Sequence, residues 1–77
     1  MAKAFGEHER NAIRSRLVDS ALRSLSGKGF QSTTVDELAL SAGISKGAFY
    51  QFFPSKEVLF FSVVMDFHER VEEELVR

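Results

Sequence analysis

Residues 34–56 read TVDELALSAGISKGAFYQFFPSK, and the fold turns on how this stretch is divided. It opens on Thr34, with Glu37 three positions later. A hydroxyl at a helix start and a carboxylate that can reach back to it are the two halves of a capping box. Asp36 and Glu37 also suit the positive end of a helix dipole. Val35, Leu38, Ala39 and Ala42 then fall on one side, which predicts a buried face. Gly43 interrupts the helix, because glycine accepts the left-handed conformation that ends helices, and Ile44 is expected to plug the core. Ser45 is a natural cap for the next helix, which carries Ala48, Phe49, Phe52 and Phe53. Pro54 keeps that helix short by disfavouring helical geometry at the residue before it. Two helices joined by a tight glycine-containing turn, over about residues 34–53, form a helix-turn-helix.

The flanks extend the same pattern. Ile13, Leu17, Ala21 and Leu25 repeat every four residues, with Val18 and Leu22 beside them. This predicts an amphipathic helix from about Glu9 to Ser26, with Arg14, Arg16 and Arg23 off its apolar stripe. Gly27 and Gly29 are expected to end it, and Phe30 to turn back into the core. Ser55 caps a fourth helix that runs toward Arg77. Leu59, Phe60, Val63, Val64, Phe67, Val71 and Leu75 keep helical spacing along it, with Phe61, Met65 and Val76 outside the narrow stripe. That is more apolar surface than a small domain needs, so this helix is expected to pack against a second copy or a further domain. No sustained apolar/polar alternation signals a strand. The expected fold class is all-α: a small three-helix, homeodomain-like helix-turn-helix bundle with a fourth connecting helix. The expected division is a helix-turn-helix domain over residues 9–67 and a connecting helix over residues 55–77.

A chain of 77 residues supports one small core. Cysteine is absent, which excludes disulfides and thiolate metal sites. His8 and His68 lie far apart with no metal-ligand spacing around them, and both read as surface residues. No apolar run approaches the roughly 20 residues of a membrane span, and residues 1–10 lack the apolar centre of a signal peptide. A cytoplasmic protein is expected. With no candidate triad, phosphate loop or cofactor motif, an enzyme is not expected, nor is a cofactor.

The formal net charge of −1 argues against nucleic acid if taken alone. Its distribution argues differently. Residues 1–56 hold eight basic and five acidic side chains, a net of +3, and residues 57–77 hold two and six, a net of −4. A basic body carries an acidic tail. Solvated helix faces would give the same polarity.

The helix starts separate these readings. The third and fourth helices place Lys46 after Ser45 and Lys56 after Ser55, although a first-turn lysine opposes the dipole by about 0.3–1 kcal/mol. Two such starts ten residues apart suit a phosphate backbone, where backbone N–H groups and ammonium together hold an anion. Gly47, early in a helix, is costly by about 1 kcal/mol relative to alanine. It fits close approach of the backbone to a ligand, or close helix–helix packing. Tyr50 can donate to phosphate and Gln51 can pair with the N6/N7 edge of adenine. Half-burial of Tyr50 and simple solvation of Gln51 stand as the alternatives. In a helix-turn-helix the second helix enters the major groove and its N-terminal residues reach base edges. A helical module that pairs with protein through the fourth helix is the competing class, but it has no need of paired Ser-Lys starts.

The stretch GFQSTTVDELALSAGISKGAFYQFFPSKEVLF closely resembles the N-terminal domain of the TetR family of bacterial transcriptional regulators, and the resemblance extends over roughly residues 9–67. It implies a homodimeric regulator, usually a repressor, on the double-stranded DNA of a palindromic operator. It also implies a C-terminal domain, outside these residues, that binds a small-molecule effector and supplies the dimer interface. Carried over by position, the resemblance places Thr34, Lys46, Tyr50 and Lys56 at phosphate contacts. It places Val35, Ser45, Gly47, Ala48, Gln51 and Phe52 on the surface facing the groove. Phe52 stands where the family often carries histidine or another polar residue.

Overall fold

A computed structural model describes residues 4–76 as four helices. They are α1 (Glu7–Ser26), α2 (Val35–Ala42), α3 (Lys46–Phe49) and α4 (Lys56–Val76). The described residues contain no strand. The all-α expectation therefore holds. The expected end near Arg77 and the basic Lys3 lie outside the described residues.

Each helix begins and ends for a local reason. Helix α1 starts at Gly6 without a side-chain cap, and Glu7 and Glu9 face its positive end. It starts two residues earlier than the sequence suggests. Its end is closed by Gly27 N–H donating to the Arg23 and Ser24 carbonyls and Gly29 N–H donating to Ser24. Of the two glycines expected to end it, only Gly29 is left-handed, with φ 85°. Helix α2 has the full capping box: Glu37 N–H donates to Thr34 Oγ1 at 3.1 Å and Thr34 N–H donates to Glu37 Oε1 at 3.3 Å. At its other end Gly43 takes φ 74°. There Gly43 N–H donates to Leu40 and Ile44 N–H to Ala39, each at 3.0 Å, the paired bonds of a Schellman ending.

The core gathers where α1 crosses α2 and α4. Leu17, Leu38, Phe49 and Leu59, one from each helix, are fully buried. Ile13, Ala21, Ala39, Ala42, Phe53, Phe60 and Val63 complete the cluster, with Val35, Ile44 and Phe52 half-buried against it. One expectation about the stripes needs correction, that for the end of α1. Leu22 and Leu25 are exposed near the end of α1. On α4 the buried stripe stops at Val63, while Val64, Phe67, Val71 and Leu75 are exposed although they keep its period. The reason is length: α4 has 21 residues, about 30 Å at 1.5 Å per residue, and outruns the helices it packs on.

Polar contacts tie α1 to the end of α2. Arg16 Nη1 donates to the Ala42 carbonyl at 3.1 Å, a cation at a helix C-terminus. Buried Ser20 donates to Ser41 Oγ. At the other end of α2, Lys28 pairs with Glu37. The Lys28 ammonium and, secondarily, the Thr34 N–H hold the Glu37 carboxyl below the usual carboxylate value.

Replacing Thr34 by alanine is expected to lower stability by about 1 kcal/mol in urea unfolding. Because the folded Glu37 carboxyl is the stronger acid, its contribution is present above the ordinary carboxylate value near 4.3 and is lost as pH falls through and below it. Glu37→Gln should therefore be less stable than the parent at pH 7, with the gap closing as acidification protonates the folded carboxyl.

Candidate nucleic-acid interface

The turn between α2 and α3 is three residues long, Gly43 to Ser45, and it delivers α3 to the surface. Ser45 Oγ accepts from Ala48 N–H at 3.1 Å. The α-helical part ends after four residues. Beyond it Gln51 N–H donates to Ala48 at 3.0 Å and Phe52 N–H to Phe49 at 2.9 Å, the tighter i to i−3 pattern common at helix ends. Such a short helix cannot build a macrodipole, so its contribution to anion binding comes from side chains. At the start of α4, Ser55 Oγ accepts from the Val58 N–H at 3.2 Å, so one of its first-turn donors is already satisfied.

The structure brings the four expected phosphate contacts together. Thr34, Lys46, Tyr50 and Lys56, with Val35, line one open cleft formed by the starts of α2, α3 and α4. Their states differ. Tyr50 is 48% exposed, its ring edge-on to Phe49 at 5.4 Å between centroids. Lys46 is exposed and stands 3.8 Å from the Asp36 carboxylate, a surface pair that adds little stability and can be exchanged for another anion. The Thr34 hydroxyl is engaged within the capping box. Lys56 is turned inward: its ammonium donates to the carbonyls of Phe30 at 3.0 Å and Thr33 at 2.8 Å. The first-turn lysine of α4 is thus compensated inside the chain.

The six residues expected to face the groove divide. Ser45 and Gly47 are exposed, and Gln51 and Val35 are half-buried. Around Gly47 an added Cβ would meet only Ser45 Oγ at 4.0 Å, so close helix–helix packing does not explain this glycine. Ala48 departs from the expectation: it is buried, with 6% of its surface exposed. Phe52 also departs. Its ring stacks with Phe5 at 5.7 Å and lies under the Arg10 guanidinium at 4.6 Å.

The arginines of α1 went unassigned in the sequence. Arg10 donates to the Gln51 carbonyl at 3.2 Å, and Arg14 lies 4.7 Å from the Phe53 ring centroid. Their spacing of four on one helix, opposite two adjacent phenylalanines, is the signal that could have exposed them. Together they hold down the end of the α3 turn.

Residues 17–63 match the family described as bacterial regulatory proteins, tetR family. The chain belongs to this family. It is 43% identical over 54 residues to the HTH-type transcriptional regulator YuxN of Bacillus subtilis, covering 70% of this chain and 19% of that protein. It is 40% identical over 63 residues to the HTH-type transcriptional regulator EthR of Mycolicibacterium smegmatis, covering 82% and 27%. It is 33% identical over 48 residues to IcaR of Staphylococcus aureus, named as the HTH-type negative transcriptional regulator of the biofilm operon icaADBC, covering 62% and 26%. The chain therefore spans less than a third of the length of each. No solved structure matches it. These residues are the helix-turn-helix DNA-binding domain of a TetR-family transcriptional regulator.

Gly47→Ala separates folding from binding. With open space at this position and a better helix former in place, stability should rise by up to about 1 kcal/mol. Affinity for duplex DNA should fall if the backbone approaches the ligand there. Thermal melting and fluorescence anisotropy on the same sample read both quantities.

Proposed function

We propose that the domain binds double-stranded DNA sequence-specifically, with α3 in the major groove and the cleft beside it on the phosphate backbone. The convergence of Thr34, Lys46, Tyr50 and Lys56 on one open cleft, beside the exposed Ser45 and Gly47, is the observation that carries this reading. Lys46 and Tyr50 present a cation and a hydroxyl at the surface, the groups that position a protein on phosphate. Gln51 is the base reader by side-chain chemistry. Its carbonyl is fixed by Arg10, which limits the freedom of the residue that reads. Ala48 and Phe52 act from behind, by packing.

The regulator acts as a repressor on a palindromic operator. The name of IcaR as a negative regulator supports this direction. It works as a homodimer, since one domain of this size covers one half-site and the dimer sets the half-site spacing. A C-terminal domain outside these residues senses a small-molecule effector, in keeping with the greater length of the relatives. Among the described residues no helix is long and apolar enough to cross a membrane, and a cytoplasmic site of action follows from the DNA target. The reading of the chain as a helical protein-pairing module has support in the exposed Phe61, Phe67 and Leu75 of α4. That face lies on a different helix from the reading turn, so the two roles are compatible.

Lys46→Ala should weaken binding on all sequences and flatten the dependence of log affinity on log salt by about one unit. Gln51→Ala should instead relax preference at a single base pair, at a cost of about 1–3 kcal/mol for the preferred base. Salt titrations on a duplex recovered by selection from a random-sequence pool test both. An unchanged slope for Lys46→Ala would remove the phosphate contact from the account.

A further inference from the structure

Helix α4 reaches the helix-turn-helix by few routes. Its backbone runs close along that of α1, and α1 close along α2, while α4 meets α2 and α3 only through the shared apolar core. What joins its first turn directly to the start of α2 is the segment Phe30–Thr33. Lys56 Nζ donates to the Phe30 carbonyl at 3.0 Å and to the Thr33 carbonyl at 2.8 Å. The same ammonium sits 4.4 Å from the Phe30 ring centroid, a cation–π distance. One helical turn along, the Phe60 ring meets that ring edge-on at 5.0 Å between centroids. Thr33 is itself buried, with 1% of its surface exposed, and its hydroxyl donates to the Gly29 carbonyl at 2.7 Å. The next residue is Thr34, the cap of α2.

We propose that Lys56 is a positioning residue: it latches the first turn of α4 to the turn before α2, and so fixes the reading turn relative to α4. Two of the three ammonium donors are spent on carbonyls and the cation also lies against a ring. Lys56 therefore acts on DNA through the placement of Thr34 and the cleft, whereas Lys46 acts by its own charge. A lysine fits this place because a compact ammonium on a flexible stem can satisfy two converging carbonyls beside a ring. The planar fork of arginine has a different donor geometry.

This inference rests on the DNA-binding reading, and its test keeps the two apart. Lys56→Met, Lys56→Arg and Lys46→Ala are prepared in the regulator, and amide hydrogen exchange is followed without DNA. Affinity for a duplex selected from a random-sequence pool is then measured across a salt series. The latch predicts faster exchange in Lys56→Met at the Glu37 and Leu38 amides, both bonded to Thr34. It also predicts an affinity loss of about tenfold or more at every salt concentration, with the salt slope changed by much less than one. Lys56→Arg should lose affinity as well, although its charge is kept. If Lys56→Met leaves exchange at Glu37 and Leu38 unchanged, the latch is refuted whatever happens on DNA. It is equally refuted if Lys56→Met flattens the slope by about one while Lys56→Arg binds as the parent does. Should Lys56→Met fail to fold, Lys56→Arg decides: parental affinity in a folded Lys56→Arg protein overturns the proposal. A flat response to Lys46→Ala would instead count against the DNA-binding reading, and the exchange data would still judge the latch.

Discussion

A four-residue helix cannot hold itself in place, because isolated helices need several turns before they are even marginally stable in water. The surface that α3 presents therefore depends on the burial of Phe49. Its ring is fully buried among residues from the other three helices. Ala48 beside it lets α3 lie against α2, and Phe53 continues the same side past the tightened turn. With Phe49 fixed, Ser45, Gly47 and Tyr50 have one outward disposition. Truncation of such a ring costs about 3–5 kcal/mol, a large share of the 5–15 kcal/mol that holds most domains folded.

Around this anchor the cations have two kinds of work. Arg10, Arg14, Arg16 and Lys56 turn inward, to the Gln51 carbonyl, the Phe53 ring, the Ala42 carbonyl, and the carbonyls of Phe30 and Thr33. They brace the ends of α2 and α3, where backbone acceptors would otherwise lack partners. Lys46 remains at the surface with only a loose Asp36 partner. Four of the described cations of residues 1–56 are thus engaged within the fold, and Lys46 is available to a polyanion.

Features fixed by neighbours in sequence were legible. The capping box of Thr34 and Glu37, the left-handed Gly43 and the Ser45 cap all involve residues within a few positions, and each appears where the sequence puts it. Helix-period spacing found the buried face of α2 and the first half of α4. It also marked an apolar surplus on α4, and Val64, Phe67, Val71 and Leu75 are exposed, but periodicity records which face is apolar and says nothing about what covers it. The fate of Lys56 was out of reach for another reason. Its acceptors lie 23 and 26 residues away, and a Ser-Lys start looks the same whether the ammonium meets phosphate or carbonyl. Ala48 and Phe52 were placed toward the groove by position in the family resemblance, which does not record that here Ala48 is buried and Phe52 lies against Phe5 and Arg10.

The central claim is that DNA is read by the α2–α3 face and the cleft beside it. Amide hydrogen exchange of the regulator, with and without a duplex selected from a random-sequence pool, tests this most directly. The account predicts that added duplex slows exchange in residues 31–36 and 45–51 and leaves residues 61–75 of α4 unchanged apart from effects of dimer contact. Protection confined to residues 61–75, with residues 45–51 exchanging as in the free protein, would contradict it.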